Sequence, residues 1–152
     1  MRALLSAPDD FGTRRTYDQT IAVRSERAVS GYTVRDEVTG TTHPAESFEQ
    51  AREIVQEILN DRPQVDWLRS WKRDGHQNRP GSSWWRESVD RATAVWITRL
   101  PDDWWCIEID VNRNVEGGMR SYIWRVEGHR PLGVVQAQAV AFASHRATER
   151  RS

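Results

Sequence analysis

From Tyr17 onward the chain alternates apolar and polar residues. Ile21 and Val23 share one face and Thr20 and Arg24 the other; after a turn near 26–28, Tyr32 and Val34 alternate with Thr33 and Arg35. A period of two sends successive side chains to opposite faces, so this stretch predicts a hairpin with one buried face. Thr39-Gly40 marks the next turn, and Thr41–His43 adds a short extended piece. The period then changes. Phe48, Ala51, Ile54, Val55, Ile58 and Leu59 recur at helical spacing and make one apolar stripe. Ser47-Phe48-Glu49-Gln50 has the form of a capping box, and Asn60-Asp61-Arg62-Pro63 ends the helix.

A second cycle follows. Val65, Leu68 and Lys72 fit a short helix with Trp67 and Trp71 on an adjacent side, and 75–83 reads as an exposed loop around Pro80-Gly81. Trp84-Trp85 leads into a meander. Val95 and Ile97 alternate with Trp96 and Thr98, and Pro101-Asp102-Asp103 turns the chain. Trp105, Ile107, Ile109 and Val111 then share a face. A three-residue turn sets Ile97 opposite Ile107 and Val95 opposite Ile109, whereas a shift by one sets Ile97 against Glu108; the apolar pattern therefore selects the first register. After a connection at 112–118, Tyr122, Trp124 and Val126 supply the buried face of a third strand. Gly128-His129-Arg130-Pro131 breaks the sheet and starts a helix with a stripe of Leu132, Val135, Ala139 and Phe142.

The pattern predicts an α+β protein: two antiparallel β units, each followed by an amphipathic helix, packed as one compact domain. Residues 1–16 form a flexible lead-in. Residues 17–148 form the domain, its halves 17–63 and 84–148 joined by a Trp/Arg-rich segment, 64–83. Residues 149–152 are a frayed tail. No residue-level repeat relates the halves.

Composition narrows the function. The chain has 152 residues, with 22 basic and 22 acidic side chains. A neutral chain has no global field drawing it to nucleic acid or an anionic membrane, so any such binding is local. Lys72 is the only lysine; codon usage accounts for that as well as function does, so arginine abundance alone does not imply phosphate binding. One cysteine, Cys106, excludes an internal disulfide and predicts a reducing compartment. The apolar run near the N-terminus is too short for a signal-peptide core, and no stretch has the roughly 20 apolar residues of a membrane span. A soluble, cytoplasmic protein without membrane association is expected.

Catalytic signatures are missing. Lys72 follows no Gly-rich loop, no Gly-x-Ser-x-Gly elbow occurs, and His43, His76, His129 and His145 lie far apart. No cofactor is expected. Glu108 and Asp110, at i and i+2 on one strand behind Cys106, are the one candidate carboxylate pair for a divalent metal or for acid/base work, although a solvent-facing strand produces the same alternation.

All eight tryptophans lie between positions 67 and 124. Trp105 and Trp124 are in phase with the buried faces. Trp96 and Trp104 share the opposite face with Thr98, Cys106, Glu108 and Asp110; they are either covered by residues 64–91 or free for recognition. Between Trp67 and Arg86, five cations oppose the single acid Asp74. Arg69, Trp71, Lys72, Arg73, Arg79, Trp84, Trp85 and Arg86 are the candidate partner-binding residues, because Trp and Arg dominate interface hot spots. The reading is a non-catalytic protein acting through protein–protein contact, such as a regulator or inhibitor of the kind that phages and mobile elements carry. The first alternative is a nucleic-acid-binding module using 67–86, where rings stack on bases and guanidinium groups meet phosphates. The second is a metal-dependent hydrolase centred on Glu108 and Asp110.

Overall fold

The computed structural model describes residues 4–26, 31–74 and 83–148. It is an α+β fold with two antiparallel sheets and two helices, and the chain divides into two compact units, Met1–Arg62 and Pro63–Ser152.

In the first unit, β1 (Thr13–Arg15), β2 (Ile21–Glu26), β3 (Gly31–Asp36) and β4 (Thr41–Ala45) form a four-stranded meander in sequence order. The expected hairpin pairs Val23 with Val34. Residues 1–16, read as a lead-in, contain β1; three residues are too few to display a period. The Thr39-Gly40 turn places Gly40 at φ 74°, a left-handed conformation that glycine adopts without a Cβ clash. Helix α1 (Phe48–Asp61) packs on β3 and β4. Ser47 accepts from the Gln50 amide, and the Gln50 side chain accepts from the Glu46 amide, one residue before the cap. Ala51 and Val55 meet Ile21, Val23, Val34 and Ala45 in the core, with Ile54, Ile58 and Leu59 at its margin.

Where α1 ends, Arg62 turns back onto the sheet. Its guanidinium donates to both Asp36 carboxylate oxygens at 3.0 and 3.1 Å and to Thr20 Oγ1 at 3.0 Å. The Arg62 and Asp36 side chains are only 12% and 3% exposed. Asp36 also accepts the Val38 amide and the Thr39 hydroxyl. A buried carboxylate is stable only when such partners replace its lost hydration.

In the second unit, β5 (Lys72–Asp74), β6 (Ser83–Glu87), β7 (Ala94–Arg99), β8 (Trp105–Val111) and β9 (Arg120–Val126) form a five-stranded antiparallel meander. The predicted register holds: Ile97 pairs with Ile107 and Val95 with Ile109. Helix α2 (Leu132–Thr148) lies on β7 and β8. Val135, Ala139 and Ala143 pack against Val95, Ile97, Trp105, Ile107, Ile109 and Val111, with Leu132 and Phe142 alongside. A Cβ at Gly128 would stand 1.3 Å from the Asp103 carbonyl oxygen, so only glycine allows the chain to cross that turn on its way to α2.

The short helix expected over residues 65–72 is absent. Trp67 bridges Ser88, Leu68 N donates to the Glu87 carbonyl, Val89 N donates to the Asp66 carbonyl, and Lys72 opens β5. A spacing of four puts Trp67 and Trp71 on one side of a helix, and equally on one face of an extended chain. Backbone pairing with 87–89 decides for the extended form, and both rings reach the α2-side core. The loop expected around Pro80-Gly81 and the tail 149–152 lie outside the described residues.

Removing one partner of a buried ion pair strands the other charge, at a cost of about 3–5 kcal/mol. Arg62→Ala should therefore lower the urea midpoint by an amount that corresponds to a loss of this size. A midpoint within error of wild type would show that the Asp36 contact contributes nothing to the first unit.

Candidate functional site

Period-two geometry and the β5–β9 register arrange the second unit's side chains in rows that cross the sheet. On the α2 side one row runs Arg73, Trp84, Ile97, Ile107, Trp124. On the other side the parallel row runs Lys72, Trp85, Trp96, Glu108, Ile123. Adjacent residues of the sequence thus belong to opposite surfaces, and the middle-segment candidates are divided between them. Lys72 and Trp85 lie on the face away from α2. Trp71, Arg73, Trp84 and Arg86 lie on the α2 side. Arg69 is exposed in the stretch before β5. Arg79 lies outside the described residues.

On the α2 side, Arg86 is bonded into the fold. Arg86 donates to the Leu68 carbonyl at 2.6 Å and stacks 5.9 Å from the Trp67 ring centre; burial pulls its pKa below the ordinary arginine value. Trp67 Nε1 donates to Ser144 Oγ on α2 at 3.2 Å. The Arg73 guanidinium lies 5.5 Å from the Trp84 ring. Trp105 is 8% exposed, with Arg99 4.7 Å above it and its indole N–H donating to the Arg130 carbonyl. Trp124 packs on Phe142 at 4.8 Å. Trp105 and Trp124 are core rings, as their phase predicts.

The other face carries three aromatic–cation pairs. Lys72 Nζ stands 5.0 Å from the Trp85 ring centre, Arg113 5.7 Å from Trp96, and Arg125 5.1 Å from Trp104. Trp85 and Trp96 are directly opposed across β6 and β7 and half-buried; Trp104, in the β7–β8 turn, is 39% exposed. Trp67 and Trp71 point into the α2-side core, so they do not cover Trp96. Arg125 also donates to Asp102, which accepts the Trp104 amide. Partial desolvation opposes ionisation of Asp102, but the bonds from Arg125 and the Trp104 amide prevail and hold its carboxyl below the ordinary value. Arg113 and Arg125 lie 27 or more positions beyond the middle segment; only the strand register reveals that they join Lys72 on one face.

Glu108 and Asp110 share this face as the alternation predicts, and Asp110 accepts the Ser121 hydroxyl at 2.6 Å. Among the described residues no group of three His, Cys, Asp or Glu side chains is placed to hold a metal ion. His43, His129 and His145 stand on β4, in the turn before α2 and on α2, respectively. Among the described residues no helix is long and apolar enough to cross a membrane. Comparison with family models, curated proteins and solved structures returns no match.

The two neighbouring tryptophans of the β7–β8 hairpin should separate cleanly on truncation. Trp105→Ala should lose about 3–5 kcal/mol through the cavity it leaves. Trp104→Ala should lose less than about 1 kcal/mol, as an exposed residue does. Urea denaturation of both variants checks this, and equal losses would contradict the face assignment.

Proposed function

We propose that this is a non-catalytic binding protein that engages a protein partner through the α2-free face of the β5–β9 sheet. The observation that carries the reading is the group Trp85, Trp96 and Trp104, each with its own cation, on one strand-built surface. Large rings held by neighbours expose apolar area at little entropic cost, which suits them to be interface anchors. A sheet presents Trp85 and Trp96 more rigidly than a loop would, and the Asp102 contacts hold Trp104 in the turn beside them.

Two features favour a protein partner over a nucleic-acid strand. Arg73 and Arg86, which would have to line a phosphate track with Lys72, are engaged on the opposite face. Glu108 and Asp110 stand among the rings of the candidate face and repel phosphate. Mixed charge around aromatic anchors matches the polar rim of a protein interface.

The test is affinity capture from a native lysate with wild type, Trp104→Ala and Lys72→Glu, each with and without nuclease. The expected outcome is a nuclease-resistant protein whose retention falls about 30-fold or more with Trp104→Ala, the scale of a hot spot, while the melting temperature is unchanged. Nuclease-sensitive capture would favour the nucleic-acid alternative. Undiminished capture by both variants would remove the face from the reading.

A further inference from the structure

β9 closes one side of the five-stranded sheet, and among the described residues no strand pairs with its outer edge. Free edges are templates for further pairing, and proteins commonly blunt them with proline, a bulge, a very short strand or charged side chains. β9 has only the last, Arg120 and Arg125, and both lie away from its centre. Its seven residues pair with β8 one for one, and the strand contains neither proline nor an acidic residue. At its centre Ile123 is 67% exposed, more than any other large hydrophobic residue described in this unit.

We propose that β9 pairs antiparallel with β9 of a second copy of this chain, about a two-fold axis at Ile123, joining two five-stranded sheets into one of ten strands. The occupant follows from the strand's complementarity to itself. With the axis at Ile123 all seven residues are paired. Ile123 meets Ile123 of the second copy, Tyr122 meets Trp124, Ser121 meets Arg125, and Arg120 meets Val126. The apolar pair sits at the centre, the aromatic pairs fall on the α2 side, and no like charges stand opposite, each of which favours cross-strand pairing. Moving the axis to Tyr122 or Trp124 sets Ile123 against Ser121 or Arg125 instead and leaves strand-end residues without β9 partners. A closed, isologous dimer pairs the β9 edges of both copies with each other and leaves no β9 edge to recruit a third.

Ile123 and Arg125 border the tryptophan face, but the pairing is made by the β9 backbone, so Trp104→Ala should leave the dimer intact. Sedimentation of the full chain over a concentration series should give a mass twice 17.6 kDa, and Ile123→Lys, which sets two ammonium groups on the axis, should give a monomer. In a Cys106→Ser background, Ile123→Cys should form a covalent dimer under mild oxidation, because directly opposed Cα atoms lie about 4.5–5.5 Å apart. Ser121→Cys should not, since its mate is displaced by four residues, about 13 Å along the strand. A wild-type monomer at every concentration overturns the proposal. So does a dimer that survives Ile123→Lys, or one in which Ser121→Cys links as readily as Ile123→Cys.

Discussion

A strand sends alternate side chains to opposite faces, and in the second unit α2 claims one of those faces for the core. The rest of that unit follows from this pairing of period with cover. Ile97 against Ile107 and Val95 against Ile109 fix the register, because a slip by one residue would set charged Glu108 against Ile97 and turn one strand's apolar residues outward. The same choice sorts the strand tryptophans. Trp105 and Trp124 join the α2-side core and Trp84 lies on the same side, whereas Trp85 and Trp96 fall on the other face, with Trp104 in the turn beside them. The face proposed for recognition is the side of the sheet that α2 leaves uncovered, and the packing that selects it makes no reference to a partner.

The first unit also combines a sheet with one helix, but holds the helix end differently. There the closing contact is ionic. Arg62, the residue that caps α1, meets Asp36 at the end of β3 and Thr20 just before β2. The second unit closes with aromatic rings and the cations stacked on them. Both devices keep long polar side chains in one conformation. An arginine serves either role, because its planar guanidinium both forks onto a carboxylate and lies flat on a ring.

Long, strongly periodic segments were legible in the sequence: α1 with its Ser47 cap, α2 after Pro131, and the β7–β8 register. Segments that satisfy two periods at once were not. Trp67 and Trp71 lie four apart, which reads as a helix or as one face of an extended chain, and only backbone bonds to 87–89 choose between them. The basic and aromatic run 67–86 read as one surface because its residues are neighbours in sequence. In a strand neighbours part, so Lys72 and Trp85 face away from Arg73 and Trp84. Contacts between distant residues carry no local pattern. Arg62 and Asp36 are two ordinary charges in the sequence, as are Arg113 and Arg125, and each acquires its role only when the chain folds.

Core and opposite face are distinguished by which way the β7–β8 hairpin turns its rings, and Trp104 and Trp105 report it, since a one-residue slip would exchange them. Hydroxyl-radical footprinting of the intact chain, read residue by residue by mass spectrometry, measures the solvent access of both indoles in one experiment. Trp104, at 39% exposure, should be modified much faster than Trp105 at 8%. Equal rates, or faster modification of Trp105, would mean that the core face and the face proposed for recognition have been assigned the wrong way round.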